Sequence, residues 1–125
     1  MRAVRVLHFG DDASHRMQVL RSKGYVVESC ANLQQMIARL RTGHNPDVVC
    51  ISEDPECTAD GAVAVARAFS PAPLVLFRAN YRSYVQRGWD LEVAPLTSPV
   101  VWLEELAELL RSLKESESTE FSRAS

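Results

Sequence analysis

Four apolar residues, Val48, Val49, Cys50 and Ile51, end without transition in Ser52, Glu53 and Asp54. Three of the four are β-branched and none is polar, the pattern of a strand covered on both faces. Such strands occupy the middle of parallel sheets, where ligands gather at the carboxyl ends. The groups waiting there are a hydroxyl and two carboxylates: a weak nucleophile, acid–base groups and oxygen ligands for a hard cation. A second acidic pair, Asp11 and Asp12, follows the apolar run 3–9 and Gly10. With Asp54 it offers carboxylates for Mg²⁺, or else Asp12 caps the next helix and the rest forms an acidic rim. Arg78, after the apolar run 74–77, is expected either to pair with these carboxylates in place of an ion or to extend into solvent. No histidine is near Ser52 in sequence, His8 belonging to the first run and His44 to the loop before the third, so Ser52 has no evident base.

The elements that must position these groups alternate in type. Run 3–9 reads as the first strand, and residues 13–23, with Met17 and Leu20 at helical spacing and Gly24 as terminator, as the first helix. Residues 25–30 form a strand with a polar second half, as at a sheet edge. Asn32 and Gln35 make a capping box for a helix whose stripe is Leu33, Met36, Ile37 and Leu40 and which ends near residues 42–43. After the central strand, the Ala- and Val-rich segment 61–69 is a helix packed on most sides. Residues 74–77 are the fourth strand, residues 81–90 leave room for two helical turns at most, and residues 91–94 are a short fifth strand stopped by Pro95. Ser98 and Pro99 open a closing helix with the stripe Leu103, Leu106, Leu110 and Leu113, its solvent side carrying Glu104, Glu105 and Glu108. Five strand–helix alternations predict a doubly wound parallel sheet, a flavodoxin-like three-layer α/β sandwich with strand order 2-1-3-4-5. The domain is predicted over 1–114, with 115–125 a frayed helix end and polar flexible tail.

At 125 residues and 46 % hydrophobic, the chain suits one domain. Fourteen basic against 16 acidic residues, net −2, give no basic excess to bind nucleic acid. The first apolar run is too short for a signal peptide and no run approaches the roughly 20 residues that span a bilayer, so a cytoplasmic protein without membrane attachment is expected. Cys30 and Cys50 fall in apolar runs and Cys57 in a loop, without metal-site spacing.

With these elements in place the chain resembles the receiver domains of two-component response regulators, the CheY-like superfamily, over about residues 5–113. The residues carrying the resemblance are Asp11 and Asp12, Pro46 and Asp47 opening the third strand, Asp60 and Gly61 opening the third helix, Pro73, and Pro95. The resemblance implies a phosphoacceptor aspartate ending strand three, a Ser or Thr ending strand four, a Lys before the proline after strand five and an aromatic switch on strand five. Those positions hold Ser52, Arg78, Ala94 and Leu91. Phosphoryl transfer to a carboxylate needs the acceptor, a metal and groups for the phosphoryl oxygens. The resemblance therefore implies a degenerate receiver, or pseudo-receiver: not an enzyme, without cofactor, acting by contact with another signalling protein or domain in a phosphorelay-type pathway, or as a homodimer. The alternatives are a receiver still switching through Mg²⁺ at Asp11, Asp12 and Asp54 or through Glu53 or Asp54 as acceptor, and a nucleotide-binding module or enzyme on the same frame. The last needs more glycines than the one in the loop after strand one. Tyr81, Tyr84, Trp89 and Trp102 are the interface candidates on the face where the family makes partner contacts.

Overall fold

The computed structural model describes residues 3–10, 15–42, 45–53, 59–78 and 89–124. Their elements run β1 (Arg5–Phe9), α1 (Arg16–Ser22), β2 (Val26–Cys30), α2 (Leu33–Arg41), β3 (Val48–Ser52), α3 (Ala59–Phe69), β4 (Leu74–Phe77), β5 (Leu91–Val93) and α4 (Pro99–Ala124). The strands form one parallel sheet in the order β2-β1-β3-β4-β5, as the alternation predicted. The short helix expected within residues 81–90 lies almost wholly outside the described residues.

Period-two alternation sends neighbouring side chains to opposite faces of the sheet. Leu7, Phe9, Val49, Ile51, Leu74 and Leu76 meet Met36 and Leu40 of α2 and Ala62, Val63 and Ala66 of α3. On the other face Val6, Val48, Cys50, Val75, Phe77 and Val93 pack against Leu20 of α1 and Trp102 and Leu106 of α4. β3 is buried along its whole length, which is why its sequence shows no alternation. Register then fixes what can touch at the carboxyl end: His8 pairs with Cys50, and Ser52 with Phe77.

Three local expectations change. Asn32 caps α2, its Oδ1 accepting from the Gln35 N–H at 2.9 Å, but Gln35 reaches past the cap and its Oε1 accepts from the Ala31 N–H at 2.8 Å. α1 begins later than expected, its cap position being His15 in a left-handed conformation with φ 54° and no side-chain cap bond; Asp12 lies outside the described residues. The backbone of α4 is helical to Ala124, through the segment expected as a frayed helix end and tail. The straight-chain residues Lys114, Glu115, Glu117 and Glu120 are good helix formers, and propagation from an established helix avoids the nucleation cost that an isolated segment bears.

Cys30 and Cys50 are both buried free thiols. Burial pushes Cys50 from its ordinary 9.0 up to about 12, only partly offset by the charge of Arg16, and burial also raises Cys30. Because the thiolate is the reactive form, neither is expected to react with iodoacetamide in the native state at pH 8, while both react in urea; peptide mapping checks this. The sign of the linkage follows: below pH 9 the thiol is protonated folded or unfolded, and between pH 9 and about 12 only the unfolded chain loses the Cys50 proton, so stability falls as pH rises through that window.

Candidate functional site

The carboxyl ends of β1, β3, β4 and β5 bring two polar clusters side by side. In the first, Ser52 closes β3 and its Oγ lies 3.0 Å from Nε2 of His8 on β1. Nη1 of Arg16, the first residue of α1, donates to the same Oγ at 3.0 Å. The Arg16 guanidinium also stacks on Phe77, its Cζ 4.3 Å from the ring centroid. His8 is fully buried and Ser52 is 3 % exposed, so these contacts form in a nearly dry setting. Gly10 keeps the strand end open to this approach: its φ is +103°, and a Cβ there would sit 2.6 Å from the Ser52 carbonyl oxygen.

This arrangement places an imidazole beside Ser52, where the sequence showed none nearby. His8 and Ser52 are 44 residues apart, yet parallel pairing of β1 with β3 sets His8 opposite Cys50, two residues from Ser52 on the same face. The available signal was a histidine placed inside an otherwise apolar strand, together with the adjacency of strands one and three in the predicted order. Arg16 had no such signal, since nothing in α1 separates it from the other basic residues of that helix.

In the second cluster, the backbone N–H of Arg78 donates to the Val93 carbonyl at 2.9 Å and Glu53 N–H donates to the Phe77 carbonyl at 2.9 Å, fixing both residues to the sheet. Arg78 Nη1 then donates to Glu53 Oε2 at 3.1 Å, and Nε donates to Glu92 on β5. Its Cζ lies 5.0 Å from the centre of the half-buried Trp89 ring. The Glu53 side chain is 3 % exposed and that of Arg78 15 %. Burial acts to lower the Arg78 pKa, but the hydrogen bonds and charges of Glu92 and Glu53 outweigh it and hold the guanidinium above its ordinary value. Arg78 therefore does not extend into solvent; it joins β3 and β5 through Glu53 and Glu92. Asp11, Asp12 and Asp54, with Tyr81 and Tyr84, lie outside the described residues.

The remaining predicted positions separate. Ala94 is exposed and carries no group that could reach the pocket, and Leu91 is half-buried against the α1 and α4 core. Trp102 was expected on a partner face and is instead a core residue, 3 % exposed, meeting Phe77 edge-on at 5.2 Å between ring centroids. Its place in the α4 stripe, four residues before Leu106, turns it toward the sheet. Large apolar side chains that do reach the surface beside it are Leu96, Val100 and Val101. Mg²⁺ demands a near-octahedral shell of oxygens. The three aspartates expected to supply such oxygens lie outside the described residues, and among the described residues no cluster of three metal-ligating side chains occurs.

The sequence matches no family model and no curated protein sequence. Among solved structures it is similar to the N-terminal domain of a response regulator, sensory box and GGDEF three-domain protein from Carboxydothermus hydrogenoformans, with a TM-score of 0.76 at 16 % identity, covering 90 % of this chain and 98 % of that one. It is similar to a receiver domain of a sensor histidine kinase from Pseudomonas aeruginosa, which has magnesium coordinated in its active-site cleft, with a TM-score of 0.69 at 19 % identity over 89 % of this chain and 97 % of that one. A chemotaxis protein of Vibrio cholerae gives a TM-score of 0.66 at 20 % identity over 86 % and 98 %. At such identities the likeness establishes architecture, and the architecture is that of the response-regulator receiver domain.

Proposed function

We propose that this chain is a degenerate receiver domain of a two-component or phosphorelay-type pathway, which signals by contact with another signalling protein or domain and forms no aspartyl phosphate. The observation that carries the reading is the Arg78 clamp. A cation at the end of β4 is already paired with Glu53, the carboxylate next to the acceptor position, and with Glu92 on the neighbouring strand. Glu53 is thereby withdrawn as an alternative acceptor, because its carboxylate oxygen is engaged by a partly buried charge-assisted bond. The strand ends are held in one arrangement without a phosphoryl group to hold them. The domain is not an enzyme on this reading, works in the cytoplasm, and binds neither nucleic acid nor membrane. In support, its charge is near balance, and no helix among the described residues is long and apolar enough to cross a membrane. Trp89 and the exposed Leu96, Val100 and Val101 are the side chains available to a partner, which includes a second copy of the chain.

The test is a titration with Mg²⁺ and beryllofluoride, which mimics a phosphoryl group on a carboxylate, followed by amide shifts. The expected result is no saturable change at Ser52, Glu53, Arg78 or Val93. Saturable changes at those amides would restore a switching receiver and overturn the proposal.

A further inference from the structure

We propose that the cleft at the amino ends of β1 and β2 is a docking site for an acidic peptide segment of a partner protein, one that carries an apolar side chain beside the acidic one. The site lies at the end of the sheet opposite the Arg78 clamp and goes beyond the reading above. The cleft has a volume of about 300 Å³, opens to solvent and is lined by Arg5, Leu7, Val26, Glu28, Arg39 and Pro46. Period-two alternation puts Arg5 on the same face of β1 as Leu7 and Phe9, and Glu28 on the same face of β2 as Cys30, which is the face that α2 and α3 cover. Such positions are ordinarily apolar. An inward charge on the edge strand β2 guards that edge against pairing, which accounts for Glu28, and a cation in the last turn of α2 faces the negative end of the helix, which accounts for Arg39. Neither reason covers Arg5, which stands on an interior strand.

The lining selects the occupant. Leu7, Val26 and Pro46 supply apolar surface, and Val26 is 46 % exposed. The Arg5 backbone is tied to Asp47, its N–H donating to Oδ2 at 2.8 Å and its carbonyl accepting from the Asp47 N–H at 2.8 Å, so the guanidinium starts from a fixed point beside that surface. A guanidinium fork holds a carboxylate through two bonds. Arg39 Nη1 donates to Glu28 Oε2 at 3.2 Å, and a carboxylate has lone pairs for several donors, so Glu28 also has room to accept a peptide N–H. Two cations against one carboxylate leave the lining positive, the complement of an acidic segment. Lipid headgroups and nucleic-acid backbones would set phosphates beside Glu28 and offer it no amide donor. A free small molecule would remain largely in water, whereas such ligands are enclosed over most of their surface. A peptide held through the rest of its chain needs only one side chain in the cleft.

The test titrates the full, isotope-labelled chain with an acetylated and amidated Glu-Leu-Glu-Leu peptide and follows amide shifts, with Gln-Leu-Gln-Leu and Glu-Ser-Glu-Ser peptides alongside. Saturable shifts at Leu7, Val26, Glu28 and Arg39 are expected for the first peptide at concentrations up to about 1 mM, and not for the other two. Binding should weaken about tenfold in Arg5→Gln, and also in Val26→Ser; both positions are exposed, and circular dichroism verifies that the variants fold. No saturable shift, equal shifts with all three peptides, shifts centred away from the cleft, or a folded Arg5→Gln that binds like the wild type would overturn the proposal. So would Arg5-dependent binding to phosphatidylserine vesicles without peptide binding, which gives the cleft to a membrane, or a peptide-free dimer that Arg5→Gln dissociates, which gives it to a second copy. None of these outcomes touches the functional reading above, which the beryllofluoride titration decides at the other end of the sheet.

Discussion

Truncation of Arg78 to alanine is expected to lower the unfolding free energy by about 3 kcal/mol, measured by urea denaturation. The effect comes from Glu53 rather than from the lost arginine contacts themselves. Glu53 has a side chain only 3 % exposed, and removing the guanidinium takes away a cation that its carboxylate meets in a setting poor in water. The Glu92 arm contributes little, because that carboxylate is 45 % exposed and an exposed pair is worth under about 1 kcal/mol. The same truncation made in a Glu53→Gln background should therefore cost clearly less, since the neutral amide needs no counter-charge. Equal costs in both backgrounds would mean that Arg78 acts through packing on Trp89, and the clamp between strand ends would have to be abandoned.

Replacement of Trp102 by alanine should cost about 3–5 kcal/mol, the range for deleting a large aromatic from a packed core. Trp102 fills the space between α4 and the sheet and meets Phe77 edge-on, and Phe77 in turn carries the Arg16 guanidinium on its own face. The loss should propagate along that stack, so amide shifts at Ser52 and His8 should move. Trp102→Phe, which keeps an aromatic edge against Phe77, should recover more than half of the stability. A Trp102→Ala variant as stable as the parent, with lost partner binding, would return this residue to the surface role that its type suggested.

Much of the architecture was legible before any coordinates. An apolar run with no alternation marks a strand covered on both faces, Asn32 and Gln35 mark a helix start, and strict strand–helix alternation leaves only right-handed parallel crossovers. These are local or combinatorial constraints, and a single sequence expresses them. The length of α4 was not legible, because composition reports how little a segment can bury while helix propagation depends on the ordered turn before it.

The site divides along the same line. That polar groups gather at Ser52 and Glu53 was legible in residue types and order alone. Which cation meets which carboxylate was not, because Arg78 and Glu53 are 25 residues apart and their meeting depends on register between β3 and β4 and on which side each strand end faces. The imidazole beside Ser52 was hidden for the same reason: sequence distance separates His8 from it by 44 residues, while one strand-to-strand spacing separates them in the sheet. Sequence determined the types of group at the carboxyl edge of the sheet, and tertiary structure decided their pairing, since hydrogen bonds and ion pairs act over a few ångströms that only the packed strands define.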